Sequence, residues 1–173
     1  IRKNIENGKK ELGTQVIHFK EAFHGRTGYT LSMTNTFNKD KIKYFTKFSW
    51  PRITNPKITF PLNKENLAKV EKLESQAVTE IEKAVSENPD DIAALVIEPI
   101  QSEGGDNHFR KEFFQKLRVL CDEHEMMFVI DEIQTGVGLT GKMWAYEHFG
   151  FEPDILAFGK KTQVCGIMVG SRV

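Results

Sequence analysis

Apolar residues fall along the chain in two patterns. Three short, nearly uninterrupted runs, IAALVI (92–97), MMFVI (126–130) and DILAF (154–158), are bounded by Asp, Gly and Pro. They are too short for stable helices and have no alternation, so they predict strands of a parallel sheet buried on both faces. Each run ends close to an ionisable residue, Glu98, Asp131 and Lys160 in turn. The intervals, 33 residues and then 29, match one strand-plus-helix unit of about 30 residues. The segment between Asp131 and Lys160 therefore predicts a helical βαβ crossover.

The second pattern is helical. Leu67, Val70, Ala77, Ile81, Ala84 and Val85 fall near one face of an amphipathic helix that Asn88 and Pro89 end, with Lys69, Glu71, Lys72 and Glu74 as a solvated face. Phe113, Phe114, Leu117, Leu120 and Cys121 repeat at helical spacing and predict a helix covering the sheet. Upstream, TQVIHFKEAFHG (14–25) predicts a short alternating strand ending near Phe23, His24 and Gly25. Between Asn35 and Pro61 no period is sustained, which predicts a long surface excursion anchored by Phe48 and Trp50. The fold class is α/β: a mostly parallel sheet flanked by helices.

Composition narrows the function classes. With 24 basic and 24 acidic residues among 173, the chain has no charge footprint for nucleic acid or an anionic membrane. Its apolar runs are shorter than the roughly 20 residues needed to span a bilayer, and the first residues, IRKNIENGKKELG, are polar rather than signal-like. A soluble, cytoplasmic protein is expected. Cys121 and Cys165 lack metal-ligand spacing and read as reduced thiols, so no metal is expected. His124 and His148 also lack partners at ligand spacing. Both ends look cut, since IRKNIENGKK resembles the last turn of a helix and the chain stops just after IMVG, so residues 1–173 read as a fragment of a larger subunit.

Ligands of parallel sheets bind beyond the carboxyl ends of the strands, so Glu98, Asp131 and Lys160 should share one crevice. A desolvated lysine there can act as a nucleophilic amine, whereas a salt bridge to Asp131 would keep it protonated and inert. A cation lying between the two would reconcile the roles. The protonated ring of pyridoxal 5′-phosphate is such a group, bound covalently by a lysine at one end and facing an acid at the other. Gln134 could donate to its phenolic oxygen and Ile133 could press on one ring face, with Phe23 or His24 on the other. A plain Asp131–Lys160 salt bridge remains open on spacing alone. Arg26, beside Phe23 and His24 on a glycine-flanked turn, could bind an anion, and Glu103 lies in a Gly-rich loop on the ligand side.

The motifs AFHGRTGYT (22–30), EPIQSEGG (98–105), IDEIQTGVGLTG (130–141) and PDILAFGKK (153–161) together resemble the class III (ω-amino acid) aminotransferases, pyridoxal-phosphate enzymes of fold type I. The resemblance runs in order from about Val16 to the end. It implies that residues 1–173 belong to the cofactor-binding large domain, with an N-terminal segment and a C-terminal small domain missing. Residue by residue, Lys160 matches the Schiff-base lysine, and motif register alone separates it from Lys161. Asp131 matches the ring-nitrogen acid, Gln134 the phenolate partner, and Ile133 with Phe23 the residues that sandwich the ring. Arg26 matches the arginine for the substrate carboxylate. Glu103 matches a glutamate that swings between a downstream arginine and the substrate.

Within the family, FSWPRI, EGGDNHFRKEFF and FGKKTQVCG are most similar to members that move the ε-amino group of L-lysine to 2-oxoglutarate; members acting on 4-aminobutyrate or ornithine are the alternatives. Thr162, Gln163, Val164 and Cys165 replace the glycine-rich segment usual after the lysine. Leu139 stands where animal-type relatives carry an iron-sulfur cysteine. The resemblance further implies a homodimer, with the phosphate-binding loop, a threonine from the other subunit and the arginine partner of Glu103 outside these residues. A truncated, non-catalytic module is the reading from a different class.

Overall fold

In the computed structural model, which describes residues 1–173, the chain runs α1 (Arg2–Glu6), β1 (Gln15–Phe19), α2 (Gly28–Met33), β2 (Arg52–Ile53), α3 (Lys64–Glu87), β3 (Ile92–Ile97), β4 (Ile100–Gln101), β5 (Asn107–His108), α4 (Lys111–Glu123), β6 (Met127–Asp131), β7 (Ile155–Phe158) and β8 (Gly166–Val169). The six-stranded sheet has the order β2-β1-β3-β6-β7-β8, and β4 and β5 form a separate hairpin. All neighbours in the large sheet are parallel except β7 and β8. The three apolar runs thus become the adjacent parallel strands β3, β6 and β7. Register places Ile97 opposite Ile130 and Asp131 opposite Ala157, so the carboxyl ends of the three strands share one edge.

One core joins this sheet to the two long helices. Phe113, Phe114, Leu117, Leu120 and Cys121 of α4, and Ala77, Ile81 and Ala84 of α3, pack with Ile17, Leu95, Ile97, Phe128 and Ile130. Phe113, Phe114 and Phe128 are almost wholly buried. Truncating any one to alanine would cost about 3–5 kcal/mol. Helix α3 begins where the Asn63 side chain accepts from the Asn66 amide at 2.9 Å, and ends at Asn88, whose side-chain amide donates to Ala84 O at 2.8 Å. Glu74 departs from its expected solvated role. It is buried and accepts both arms of the Arg110 guanidinium at 2.9 Å, because α3 turns this position toward the start of α4.

Three further expectations need correction. First, β1 ends at Phe19, before Phe23, and Ile17, His18 and Phe19 are all buried, since β1 lies between β2 and β3 with both faces covered. His18 is tolerated because Arg52 donates to its Nε2 at 3.1 Å and its Nδ1 bonds Val16 O. Burial pushes its pKa down to about 4, so the ring is neutral.

Second, the long excursion contributes β2 to the sheet, with His18 opposite Arg52 and Phe19 opposite Ile53. Its buried anchors are Ile42 and Ile53. Phe48 and Trp50 instead stack on each other and on Tyr29 at the surface, with ring centroids 4.9–6.0 Å apart.

Third, the β6–β7 crossover holds turns and a 3-10 turn (Ala145–His148) in place of an α-helix. Val137, Gly138 and Gly141 have φ of 61°, 84° and 88°, values incompatible with a right-handed helix. A side chain at Gly136 would collide with the Trp144 ring, its Cβ 2.6 Å from the nearest ring carbon. The apolar run near the end forms β8, which runs antiparallel to β7.

Candidate active site

The edge formed by β3, β6 and β7 collects the ionisable residues that the sequence pattern placed there. Glu98 follows β3 directly, Asp131 closes β6, and Lys160 stands two residues beyond β7. Asp131 and Lys160 form no ion pair with each other. The carboxylate of Asp131 accepts from His24 Nδ1 at 2.8 Å and from the Ile133 amide at 3.1 Å. Lys160 donates to Gln134 Oε1 at 2.5 Å. The plain Asp131–Lys160 salt bridge is therefore absent, and each of the two groups has its own partners.

His24 belongs to the carboxylate end. Its side chain is 2% exposed, and its ring edge is committed to Asp131. Burial pushes the imidazole pKa down, but the hydrogen bond and charge of Asp131, helped by Glu98, outweigh burial and leave it raised. Of the two aromatics on this turn, the half-buried Phe23 is the one left to cover a ring. Its amide donates to Glu98 Oε1 at 2.8 Å, which fixes the turn to the end of β3. Burial pushes the Glu98 carboxyl up to about 7, the positive field of His24 and the Phe23 amide resisting. The turn is held from behind by Thr34, whose hydroxyl accepts from the His24 amide at 3.0 Å and donates to Gly25 O at 2.6 Å.

The other end is open. Lys160 is exposed and its backbone is left-handed, with φ of 53°. Since a lysine ammonium only donates, the Gln134 atom facing it must be the amide oxygen. The Gln134 NH2 then points elsewhere and has no protein partner, free for an acceptor on a ligand. Lys161 donates to the backbone carbonyl of the same Gln134. Glu132 steadies this segment from below, accepting from Thr135 Oγ1 at 2.5 Å and from the Tyr146 amide at 2.8 Å.

The outlying candidates sit around this centre. Arg26 is exposed and makes no hydrogen bond or ion pair within the chain. Glu103, in the β4–β5 hairpin, accepts from Thr36 Oγ1 at 2.6 Å and lies 3.5 Å from Lys41, while its Oε2 is buried without a partner. Thr34, Thr36, Glu132 and the Lys161 contact were not foreseen. The two threonines gave no signal, lying in a stretch without period; Glu132 could have been noticed as a second acid beside Asp131 at the end of an apolar strand.

Comparison with known proteins identifies the family. The family profile described as Aminotransferase class-III matches residues 1–173. The chain is 53% identical over 162 residues to an L-lysine-epsilon aminotransferase of Mycobacterium bovis, covering 94% of this chain and 35% of that protein. It is 49% identical over 159 residues to the enzyme of that name from Amycolatopsis lactamdurans, covering 92% and 35%. A 4-aminobutyrate aminotransferase of Dictyostelium discoideum is 39% identical over 166 residues, covering 95% and 33%. The solved structure of a lysine aminotransferase from M. tuberculosis in the internal aldimine form superposes with a TM-score of 0.93 at 50% identity, covering 99% of this chain and 39% of that one. The chain spans about a third of the length of the curated relatives it matches. On its full length in the profile match and its identity to these enzymes, the chain belongs to the class III aminotransferases.

Proposed function

We propose that this chain supplies the lysine and ring-acid portion of a pyridoxal 5′-phosphate site in an aminotransferase that moves the ε-amino group of L-lysine to 2-oxoglutarate, acting as a cytoplasmic homodimer. The observation that carries the reading is the separation of Asp131 and Lys160 at adjoining strand ends, each with its own partner, in a chain of this family. The donor set fits the cofactor: a buried carboxylate backed by the His24 imidazole, an unpartnered amide NH2, and an exposed amine.

Pyridoxal phosphate, when bound, supplies an electron sink for the carbon that carries the amino group. Asp131 holds the proton on the ring nitrogen, and His24 keeps that carboxylate oriented. Gln134 binds the phenolic oxygen through its NH2. Ile133 and Phe23 would cover the ring and exclude water. Lys160 would hold the cofactor through Nζ, and its amine would hold and return the proton at the substrate carbon as general base and acid. Arg26 binds the substrate carboxylate, its guanidinium being uncommitted. Glu103 adjusts the pocket between amino and oxo acids, its Oε2 being buried without a partner in the chain.

The test is the amino-donor half-reaction of full-length, cofactor-loaded protein, followed by cofactor absorbance with L-lysine, L-ornithine and 4-aminobutyrate in parallel. A response to L-lysine that exceeds the other two supports the reading. A response to 4-aminobutyrate with none to L-lysine would replace the substrate, and no response to any amino acid would leave a non-catalytic module.

A further inference from the structure

We propose that Lys161 is a positioning residue for the active lysine: a standing tether that holds the Lys160 turn against Gln134 while Lys160 itself is away. This rests on the assignment of Lys160 as the cofactor lysine. The turn after β7 is unusual in its backbone. Lys160 and Gln163 both take left-handed φ, 53° and 63°, within four residues and without glycine at either position. Each such residue costs about 1 kcal/mol or more, and the conformation persists only when surrounding contacts fix it.

The bonds within the turn are local. Gln163 donates to Lys160 O through its backbone amide at 3.0 Å and its side-chain amide at 3.2 Å, and the Thr162 hydroxyl donates to Val164 O at 2.6 Å. None of these reaches the neighbouring strand. The β6–β7 ladder stops at Asp131 opposite Ala157, extended by one bond from the Glu132 amide to Ala157 O. Beyond that point the two lysines make the links across, Lys160 to the Gln134 side-chain oxygen and Lys161 to the Gln134 carbonyl.

The consequence follows from what Lys160 has to do. An amine that bonds to the cofactor, leaves it and moves a proton must give up Gln134 Oε1. Lys161 keeps its bond throughout, because a carbonyl fixed in the backbone takes no part in the chemistry. A charge-assisted bond of this kind fixes both partners, the turn bearing Lys160 and the residue whose NH2 faces the ligand. Glu132 anchors the same segment on its other side through Thr135.

The experiment uses full-length, cofactor-loaded protein and compares wild type with Lys161→Met and Lys161→Arg. Three quantities are read: the lysine trapped by borohydride reduction and located by mass spectrometry, the cofactor dissociation constant, and kcat and KM for the amino donor. For Lys161→Met we expect Lys160 still trapped, cofactor dissociation and kcat each worsened by about tenfold, KM within twofold and an unchanged melting temperature. Lys161→Arg, which keeps a cationic donor, should recover most of both losses. Cofactor affinity and kcat within twofold of wild type in Lys161→Met would overturn the proposal. So would a fall in melting temperature with kcat per folded molecule unchanged, since that is a purely structural role. Trapping on Lys161 in the wild type is a separate failure, one that removes the assignment of Lys160 itself.

Discussion

The surroundings of Asp131 and of Lys160 differ in almost every physical respect, although the two stand at the ends of neighbouring parallel strands. At the first, the His24 side chain is 2% exposed and that of Asp131 11%, the pair is bonded at 2.8 Å, and Glu98 and Thr34 brace the turn around it. At the second, the lysine is exposed, its backbone is left-handed, and its contacts are two ammonium groups on a single glutamine. An acid that must keep one proton on a ring throughout a reaction gains from a fixed, low-dielectric setting. A lysine that must bond, leave and carry a proton needs slack and an exit. The family shares the chemistry, but the division into a buried, braced end and an exposed end is visible in this chain's own contacts.

The largest break in that comparison comes from the exposed end. In full-length protein, Lys160→Ala should lower transamination by more than about 10³-fold, beyond what losing a general base usually costs when it has no covalent role. Stability should not follow activity. Lys160→Gly, which suits the left-handed backbone, should raise unfolding free energy by up to about 1 kcal/mol while abolishing turnover. Paired assays of turnover and urea unfolding check both, and a marked loss of stability in Lys160→Gly would contradict the strain at this turn.

At the buried end, stability and activity should fall together. Asp131→Ala leaves the buried His24 imidazole without its hydrogen-bond partner, so unfolding free energy should drop by about 1–3 kcal/mol. Urea unfolding at neutral pH measures it. A loss below about 1 kcal/mol would show that the pair contributes little and that His24 is held by other means.

How far each region could be read before the structure follows from how local its determinants are. β3, β6 and β7 were legible because buried parallel strands are uniformly apolar, and α4 because its aromatic residues repeat at helical spacing. Glu98, Asp131 and Lys160 followed from strand ends and spacing. The helical crossover failed because the spacing of strand ends is silent on what lies between, and Gly136, Gly138 and Gly141 favour turns over any helix. Glu74 failed because its partner Arg110 lies 36 residues away. β2 was hidden by its length of two residues, and its place beside β1 depends on pairing with residues 34 positions away, His18 with Arg52. The bond of His24 to Asp131 spans 107 residues, which no local pattern encodes.

A subtler test concerns Glu98. Its carboxyl is raised from the ordinary value to about 7 chiefly by burial. A raised acid binds its proton more tightly in the folded state, so its stabilising contribution is complete below the ordinary glutamate range. That contribution is lost as pH rises through about 7. Glu98→Gln keeps an acceptor for the Phe23 amide and removes the titration. The variant should therefore gain on wild type as pH goes from about 5 to about 8, by on the order of 3 kcal/mol at most. Thermal unfolding of both proteins across that range reads the difference, and a constant difference would mean that Glu98 does not titrate there.

The smallest expected effect belongs to Arg26, which lies outside both halves and touches neither. It is exposed and has no partner in the chain, so Arg26→Ala should leave unfolding free energy within about 0.5 kcal/mol of wild type. If it meets the substrate carboxylate, KM for the amino donor should rise by about tenfold, the usual order for one charge-assisted contact, with kcat nearly unchanged. The conservative variant Arg26→Lys should recover only part of this, because an ammonium cannot present the two parallel donors of a guanidinium. An unchanged KM would place the substrate carboxylate elsewhere and leave Asp131 and Lys160 as the two fixed points from which its position has to be sought.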